Sequence, residues 1–591
     1  MTGLRLVLAS LALLAAVAAG AAESDPQQTR ALHALFDRHW EDISSRFPED
    51  STYRGDLRYN DRLTDRSAQA LADYDRQVLR WLAEAKAIPR DRLDAGDRVS
   101  LDLFTGMMER QAQQQAFPGY RSLGLGALGG VQSSLAELLK ASPVQTRLQV
   151  EQMLRRIEAY PRQMDQEIEG LRRGLALGWV SSKDVLDRVV RQVDVQLPAD
   201  VTASPFYAPF LKLGSAIAPE DRAALQAQAR AAIESNIVPA LRKLRAFVVD
   251  EYMPRAPANG AMSGYPDGAR VYEMLVRHQT TTPLSATQIH DTGLRELARL
   301  RAEMETVMRR TGFTGDFAQF IHYINTDPKF FHSGPETLLA GYRDIAKRID
   351  AEVPRLFAEL PRAPYGVRAM PDFAGPDAAE NYDGPARDGS RAGYFNANAV
   401  GWRTRPTWRM ATLTAHEAVP GHHLQVARAT ELRALPQFRR DGDYTAFVEG
   451  WAVYAETLGR EIGIYDDPYS LFGHLQWQAF RAARLVVDTG IHRLGWSRQQ
   501  AIQFMVERTG FEIGFVTSEV DRYTSYPGQA LGYMIGKLKI DELRDRAKAR
   551  LAGRFDLRRF HNAVIDQGPL PLDALERIID DWIVTQGESK P

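Results

Sequence analysis

The run His-Glu-Ala-Val-Pro-Gly-His-His-Leu-Gln at 416–425 contains the residue types of a hydrolytic metal site. In the zinc-peptidase pattern H-E-x-x-H, two histidines one helical turn apart hold the ion. The glutamate between them can take a proton from the bound water. Here His416 and Glu417 begin that pattern, but Pro420 stands where the second histidine belongs. The sequence therefore predicts a metal ligand at His416 and a general base at Glu417.

Helix geometry leaves two candidates for the second ligand. On an unbroken helix of about 3.6 residues per turn, His423 lies nearly over His416, whereas His422 points elsewhere. Pro420 has no N–H for the carbonyl of His416, and its ring crowds that turn, so an unbroken helix is not expected. A bulge that absorbs two extra residues brings His422 to the ligand position. We favour His422 and keep His423 as the alternative.

Glu449 is the candidate for the third ligand. It lies on a later helix-like stretch among apolar residues such as Phe447 and Trp451, and a charge in such a setting usually has a partner or a metal. The alternative is that Glu449 and Glu456 form a solvated helix face. One zinc ion held by Glu449 and two histidines is expected, although ligands of these types also admit other divalent ions.

Two downstream segments contain further candidates. Arg484, Asp488 and His492 share one helix face, either as an ordinary ion-pair ladder or as groups that orient a neighbour or bind substrate. Residues 521–533 contain three tyrosines, an arginine and a Pro-Gly turn. A tetrahedral oxyanion needs a hydrogen-bond donor, and a tyrosine hydroxyl can be that donor.

Most of the chain is predicted to be helical. Residues 150–171, 219–249 and 286–310 have apolar residues at spacings of three and four, which is typical of amphipathic helices. Residues 361–392 are rich in Pro, Gly and Asp and are predicted to be an irregular, functional loop. That loop leads into Gly393-Tyr394-Phe395-Asn396, which is predicted to be a short strand.

Composition bounds the class of protein and its partners. The 591 residues are 44% hydrophobic and 25% charged, which predicts a globular protein with a large buried core. The formal net charge is −1, so no nucleic-acid partner is expected. The chain has no cysteine, which excludes disulfides, thiolate zinc ligands and an acylated cysteine.

The first 22 residues are predicted to be a cleaved export signal. Arg5 precedes an apolar run that ends in small residues, with cleavage expected after Ala21 or Ala22. The alternative is a membrane anchor, but the run is shorter than the roughly 20 residues that a spanning helix needs. We therefore expect an exported, periplasmic protein without stable membrane insertion.

The chain is identified as a member of the bacterial domain-of-unknown-function 885 family. The run at 416–425 resembles the central motif of that family. Residues 449–452 (Glu-Gly-Trp-Ala), 484–496 and 522–530 look like its other recurrent blocks. The resemblance covers roughly residues 30–585.

That family is similar to the mostly helical zinc oligopeptidases of the thimet oligopeptidase kind. Their His-Glu-Phe-Gly-His-Ala-Leu-His run can be aligned with this one if Val419-Pro420 is an insertion. The alignment supports His422 as a ligand and places Glu449 on their third ligand. The resemblance also implies that Tyr533 is the hydroxyl that stabilises the transition state.

The same resemblance implies groups that bind substrate. Where those enzymes have a histidine, this chain has Thr524, so Tyr523 or Arg522 is the candidate substitute. The strand at 393–396 is expected to pair with the substrate backbone. The predicted substrate-binding residues are Arg522, His492, Tyr394 and Asn396.

Together these features predict an exported zinc-dependent metallopeptidase that hydrolyses oligopeptides. The expected fold is mainly α, a large two-lobed zincin-like unit with an active-site groove and a small strand element. An N-terminal helical region at 23–260 and a catalytic helical region at 261–591 are expected to form one continuous unit. Glu417 is the expected base, and Tyr533 or Tyr523 stabilises the oxyanion. The alternatives are a metal-dependent hydrolase of a non-peptide amide or ester, and a non-catalytic groove-binding protein.

Overall fold

The computed structural model describes residues 24–127, 129–370, 375–387, 389 and 391–588. These residues are mainly helical, with 70% helix and 3% strand. The predictions of a mainly α fold and of a small strand element are therefore confirmed. The predicted signal peptide at 1–22 lies outside the described residues.

The α-helices of the described chain are joined by connections of varied length, and the connection at 353–406 contains the strands. In chain order they are α1 Pro26–Arg46, α2 Pro48–Tyr53, α3 Ala68–Ala87, α4 Ala95–Gln114, α5 Ser134–Ala141, α6 Arg147–Ala176, α7 Lys183–Val195, α8 Pro219–Ala232, α9 Val238–Phe247, α10 Gly268–Thr280, α11 Ala286–Arg310, α12 Phe317–Thr326, α13 Pro335–Glu352, α14 Thr407–Glu417, α15 His422–Glu431, α16 Gln437–Arg440, α17 Thr445–Leu458, α18 Pro468–Leu494, α19 Arg498–Thr509, α20 Ile513–Ser525, α21 Leu531–Leu551, α22 Leu557–Ile565 and α23 Leu572–Glu588. Single π-helical turns, Ile233–Ile237 and Val248–Tyr252, flank α9.

The amphipathic patterns form helices as predicted. On α6 the whole apolar face from Val150 to Leu171 is buried, and the helix continues through Pro161. Helix α11 begins directly after Ser285, whose hydroxyl accepts a hydrogen bond from the backbone N–H of Gln288 at 3.3 Å. The Gln288 side chain bonds back to the backbone of Ser285, which completes a capping box.

Two hydrophobic clusters form the core. The smaller one is drawn from residues 125–256. The larger one combines residues 32–117 with residues 261–583 and also takes in Trp179. Helices α1, α3 and α4 therefore pack with the C-terminal half of the chain, whereas α2 contacts α5, and the predicted region 23–260 contributes to both clusters.

Helix α18 lies at the centre of the larger cluster. Every residue from Phe472 to His492 is buried, so this helix is covered on all sides. Helices α11, α14, α19 and α21 pack against it. Against α11 the approach is very close, because a Cβ added to Gly293 would lie 2.7 Å from Cγ2 of Val486. The polar residues of α18 therefore need partners inside the protein.

The strands form one three-stranded sheet, β1 Tyr365–Ala369, β2 Asn381–Asp383 and β3 Gly393–Ala397, in the order β1-β3-β2. Strand β3 pairs in parallel with β1 and antiparallel with β2. The short strand predicted at 393–396 is confirmed. Strands β1 and β2 lie in the loop predicted to be irregular, where runs of three to five residues among Pro, Gly and Asp give no readable alternation.

Helices α17 and α21 touch through their backbones. A Cβ added to Gly450 of α17 would lie 2.5 Å from Cα of Gly536 on α21. A Cβ added to Gly536 would lie 1.8 Å from the carbonyl oxygen of Ala446. The same two helices carry Glu449 and Tyr533, so this contact sets the distance between those side chains.

Replacing Gly450 by alanine should therefore destabilise the protein. The clash is with backbone, which no side-chain rotation relieves, and overpacking of this kind costs about 1–3 kcal/mol in the free energy of unfolding. Denaturant unfolding measures the change. The matched control is Gly553→Ala, because a Cβ added there has nothing within 4 Å. Equal stability of the two variants would contradict the close approach.

Candidate metal centre and its cavity

The motif at 416–425 folds as two helices with a break between them. Helix α14 ends at Glu417, and α15 begins at His422. The break is anchored by the Trp451 indole N–H, which donates to the carbonyl of Pro420 at 3.0 Å. A Cβ added to Gly421 would lie 2.0 Å from the carbonyl oxygen of His416, so only glycine fits this turn. We expected a bulge within one helix, but the structure has two separate helices with a break between them.

This break brings His422 beside His416 and Glu449. Potential ligand atoms of the three residues all lie within 4.8 Å of one another. Oε2 of Glu449 is 3.3 Å from Nε2 of His422 and 3.6 Å from Nε2 of His416. Oε2 is buried and has no hydrogen-bond partner. Two imidazole nitrogens therefore face one orphaned carboxylate oxygen.

Such a cluster fits a divalent metal ion. Donor atoms on a tetrahedral zinc ion are roughly 3.3–3.6 Å apart, since each lies about 2.0–2.2 Å from the metal. The separations from Glu449 to the two histidines agree with that spacing. An ion would also satisfy the orphaned carboxylate oxygen, whose burial without a partner is otherwise costly.

His423 does not face this cluster. Its Nε2 donates to the carbonyl of Ala363 at 3.1 Å, and its Nδ1 accepts from the hydroxyl of Tyr382 at 2.8 Å. Both ring nitrogens are therefore engaged on the side of the small sheet. Of the two histidines that the sequence left open, the structure brings only His422 to Glu449.

His416 is held from behind by a second carboxylate. Its Nδ1 donates to Oε1 of Glu456 at 2.9 Å, which leaves Nε2 with its lone pair toward Glu449. The other oxygen of Glu456 accepts from the Gln478 amide at 2.8 Å. Glu456 is 1% exposed, so the solvated helix face considered for Glu449 and Glu456 is wrong.

Sequence reasoning noted the spacing of Glu449 and Glu456 but missed this orienting contact. Its only signal was that two carboxylates share one face of an apolar helix. The partner on the other side, Gln478, comes from α18 and had no sequence signal.

The pKa values of the two glutamates of the centre are shifted in opposite directions. Burial alone raises the pKa of Glu449, but His422 and His416 outweigh it and hold that pKa well below its usual range. Burial raises the pKa of Glu417 to about 8; His422 opposes the rise and Glu449 adds to it. These surroundings thus favour the charged form of Glu449 and the protonated form of Glu417.

Tyr533 reaches the centre from α21. Its hydroxyl donates to Oε1 of Glu449 at 2.9 Å and accepts from Nη2 of Arg522 at 2.9 Å. Tyr523 is placed differently: it is 1% exposed, and its hydroxyl donates to Glu519 at 3.1 Å. Of the two tyrosines, only Tyr533 lines the cavity described next.

A cavity of about 370 Å³ joins these groups. Its wall includes the three candidate ligands, together with Glu417, Tyr533 and part of strand β2. It is also lined by Glu380 and by three arginines, Arg481, Arg484 and Arg522. A volume of this order accommodates a short segment of a flexible ligand.

Arg484, Asp488 and His492, which were predicted to share one face of α18, bond to different partners. The Tyr272 hydroxyl donates to Asp488 at 2.6 Å, and the Gly528 N–H donates to it at 3.1 Å. Asp488 therefore fixes the turn that precedes α21. Nε2 of His492 donates to the carbonyl of Tyr523 at 3.0 Å, and the residue is 1% exposed. His492 lies outside the cavity, and the ion-pair ladder considered for this face does not form.

The predicted substrate strand is also placed away from the cavity. Residues Tyr394 and Asn396 lie on β3, whose two edges are both occupied by neighbouring strands. The Asn396 side chain bonds to Arg368 at 2.7 Å and to Asn381 at 2.8 Å. Pairing of substrate with β3 is therefore wrong, because that strand has no free edge. The strand that borders the cavity is β2.

None of the helices in the described part of the chain is long and apolar enough to cross a bilayer. No curated protein matches the chain. The crystal structure of a protein from Colwellia psychrerythraea, described as a "putative lipoprotein", superimposes with a TM-score of 0.90. It is 27% identical, and the match covers 94% of this chain and 99% of that one.

A second structure, from Shewanella oneidensis and described as a "putative lipoprotein of unknown function", shares the fold. Its TM-score is 0.69 at 17% identity, over 92% of this chain and 98% of that one. The sequence profile of the family described as "Bacterial protein of unknown function (DUF885)" matches residues 48–579. This match spans most of the chain, and the chain therefore belongs to the DUF885 family.

Proposed function

We propose that this protein is a zinc-dependent metallopeptidase. The observation that supports it most strongly is the convergence of His416, His422 and Glu449 on one cavity that Glu417 also lines. Two imidazoles and one carboxylate, with a further glutamate free of the ligand set, are the parts that metal-assisted hydrolysis needs.

In this proposal His416, His422 and Glu449 hold one zinc ion, and Glu456 orients His416. A bound zinc ion supplies a Lewis acid and makes water a nucleophile at neutral pH. Glu417 accepts a proton from the attacking water and delivers it to the leaving amine. A nearby cation lowers the pKa of Glu417 from about 8, which favours the carboxylate that acts as base.

Tyr533 has the position required of an oxyanion donor. Its hydroxyl lies beside a candidate ligand and at the cavity wall, and Arg522 donates to the same oxygen. A small rotation of the phenol would turn its hydrogen from Glu449 to a developing oxyanion, while Arg522 keeps the hydroxyl in place. Tyr523, whose hydroxyl is committed to Glu519, is left out of this role.

The choice of peptides as substrates rests on the resemblance of 416–425 and of Tyr533 to the thimet oligopeptidase kind. The chemistry of the cluster alone equally serves other amides and esters. The structure from Colwellia psychrerythraea is described as a "putative lipoprotein", and this chain begins with a predicted export signal. We therefore also propose that the protein is exported and works in the periplasm.

Substitution of the adjacent histidines should affect metal binding very differently. His422→Ala removes a donor that faces Glu449, so zinc affinity should fall by at least the 10–100-fold that loss of an outer partner costs. His423→Ala removes only contacts to the small sheet and should retain one ion per chain. Elemental analysis after gel filtration measures both. Loss of zinc from His423→Ala alone would reverse the assignment.

Glu456→Gln should weaken the centre without removing a ligand. The amide holds His416 less firmly than a carboxylate does, so zinc affinity should fall about 10–100-fold. Competition with a chromophoric chelator measures the affinity. Glu461→Gln is the matched control, since Glu461 is an exposed carboxylate near the end of the same helix. An unchanged affinity in Glu456→Gln would show that its contact does not tune the centre.

The function itself is tested with Glu417→Gln. Loss of the general base should lower kcat for peptide cleavage about 10²–10⁴-fold, with zinc content unchanged. Cleavage of a mixed peptide library, followed by mass spectrometry, is the assay, and chelation of the wild-type protein should abolish it. Full activity in Glu417→Gln would rule out its role as base. Turnover of small esters or amides but of no peptide would overturn the peptide assignment.

A further inference from the structure

Two arginines of α18 lie in the cavity wall with unused hydrogen-bond donors. The side chains of Arg481 and Arg484 are 6% and 3% exposed. Nε of Arg481 and Nη1 of Arg484 are buried and have no hydrogen-bond partner. A buried donor of a charged group is costly to leave unpaired, so these atoms indicate a missing anionic partner.

The remaining donors of Arg484 show how it is fixed. Its Nη2 donates to Oε2 of Glu519 at 2.6 Å, and its Nε donates to the Tyr523 hydroxyl at 3.0 Å. Its guanidinium stacks on the Tyr533 ring at 4.2 Å from the ring centre. Three contacts therefore hold the group in one orientation before any ligand arrives.

Few carboxylates lie within 4 Å of these arginines. Arg484 and Arg522 share the single carboxylate of Glu519. Arg481 has only Glu456, at 3.7 Å, and that carboxylate already accepts from His416. Within 4 Å, the three guanidinium groups thus have only two carboxylates, one of which also holds His416.

The two arginines of α18 also repel each other. Burial lowers the pKa of Arg481, and the charge of Arg484 adds to that effect. An anion between the two groups would remove the repulsion and take up their unpaired donors. Guanidinium groups match the planar, two-oxygen geometry of a carboxylate.

The distance to the metal centre limits where such a carboxylate stands in a substrate. Arg484 covers one face of Tyr533, and the hydroxyl of the same ring lies 2.9 Å from Glu449. One tyrosine side chain therefore separates the arginine from the candidate ligands. An extended peptide advances about 3.3–3.6 Å per residue, so the carboxylate belongs one or two residues from the bond at the centre.

We propose that Arg481 and Arg484 bind the C-terminal carboxylate of the substrate, so that the enzyme removes one or two residues from the C-terminus of a peptide. This proposal rests on the proposed peptidase function and specifies the end of the peptide at which the enzyme acts. Because both arginines line the cavity that Glu417 also lines, the C-terminus binds in the same space in which the bond is broken.

Binding to the zinc-loaded Glu417→Gln protein tests the carboxylate site without turnover. The probes are three N-acetylated tetrapeptides: one of alanines with a free C-terminus, the same peptide as its C-terminal amide, and an amide with one internal glutamate. Calorimetry should show the free acid binding about 10–100-fold more tightly than either amide, as expected for hydrogen bonds to charged groups. Equal binding of all three overturns the proposal. Tight binding of the glutamate amide overturns the C-terminal assignment.

Substitution of the arginines tests whether they cause the tighter binding of the free acid. In Arg481→Gln the free acid should bind as weakly as the amide, while amide binding stays unchanged. Arg484→Gln should do the same if it folds, and Arg481→Gln keeps the test decisive if it does not. Arg439→Gln is the matched control, since Arg439 is 2% exposed, has an unpaired Nε and lies outside the cavity. A preference for the free acid that survives in Arg481→Gln would contradict its role.

Product analysis separates this proposal from the peptidase function. Wild-type protein should release one or two C-terminal residues from free-acid peptides and leave amides almost intact. Internal cleavage of acids and amides at equal rates would retain the peptidase and overturn the carboxylate site. Tighter binding of the free acid without any cleavage would retain the carboxylate site and overturn the peptidase.

Discussion

One carboxylate at the wall of the cavity organises this structure. Glu449 has one oxygen bonded to Tyr533 and the other left between two imidazole nitrogens. Burying a charge in this way costs several kcal/mol unless it is paired. The helices around it are arranged to supply those pairs: α14 and α15 present the histidines, α21 presents Tyr533, and α18 holds the groups behind them.

Residues behind the cavity wall hold the side chains that line the cavity. His416 is fixed by Glu456, which is fixed in turn by Gln478 on the buried helix α18. On the other side, Arg484 is fixed by Glu519. Glu456 and Glu519 thus hold in place the side chains that line the cavity.

The sequence predicted what is local and missed what depends on the packing of distant helices. Amphipathic spacing predicted α6 and α11, and the residue types at 416–425 and 449 predicted the cluster. The argument from Pro420 favoured His422 correctly as the histidine near Glu449, although a break between helices and not a bulge brings it there. The contact of His492 could not be read from spacing, because its partner lies on another helix. Tyr523 and Glu519 are four residues apart on α20, so their contact was open to such an argument and was missed. The occupied edges of β3 were hidden, since β1 and β2 are too short to show a pattern.

The glycine contact between α17 and α21 has a consequence for how the chain can vary. In most helix pairs the spacing depends on the sizes of the side chains between them, so every core substitution shifts it slightly. Here the backbones of Gly450 and Gly536 are already in contact. The two helices therefore cannot move closer together, whatever the sizes of the neighbouring side chains, and this fixes the shortest separation of Glu449 and Tyr533. Apolar residues elsewhere on the two helices can therefore be substituted while the distance between Glu449 and Tyr533 is kept.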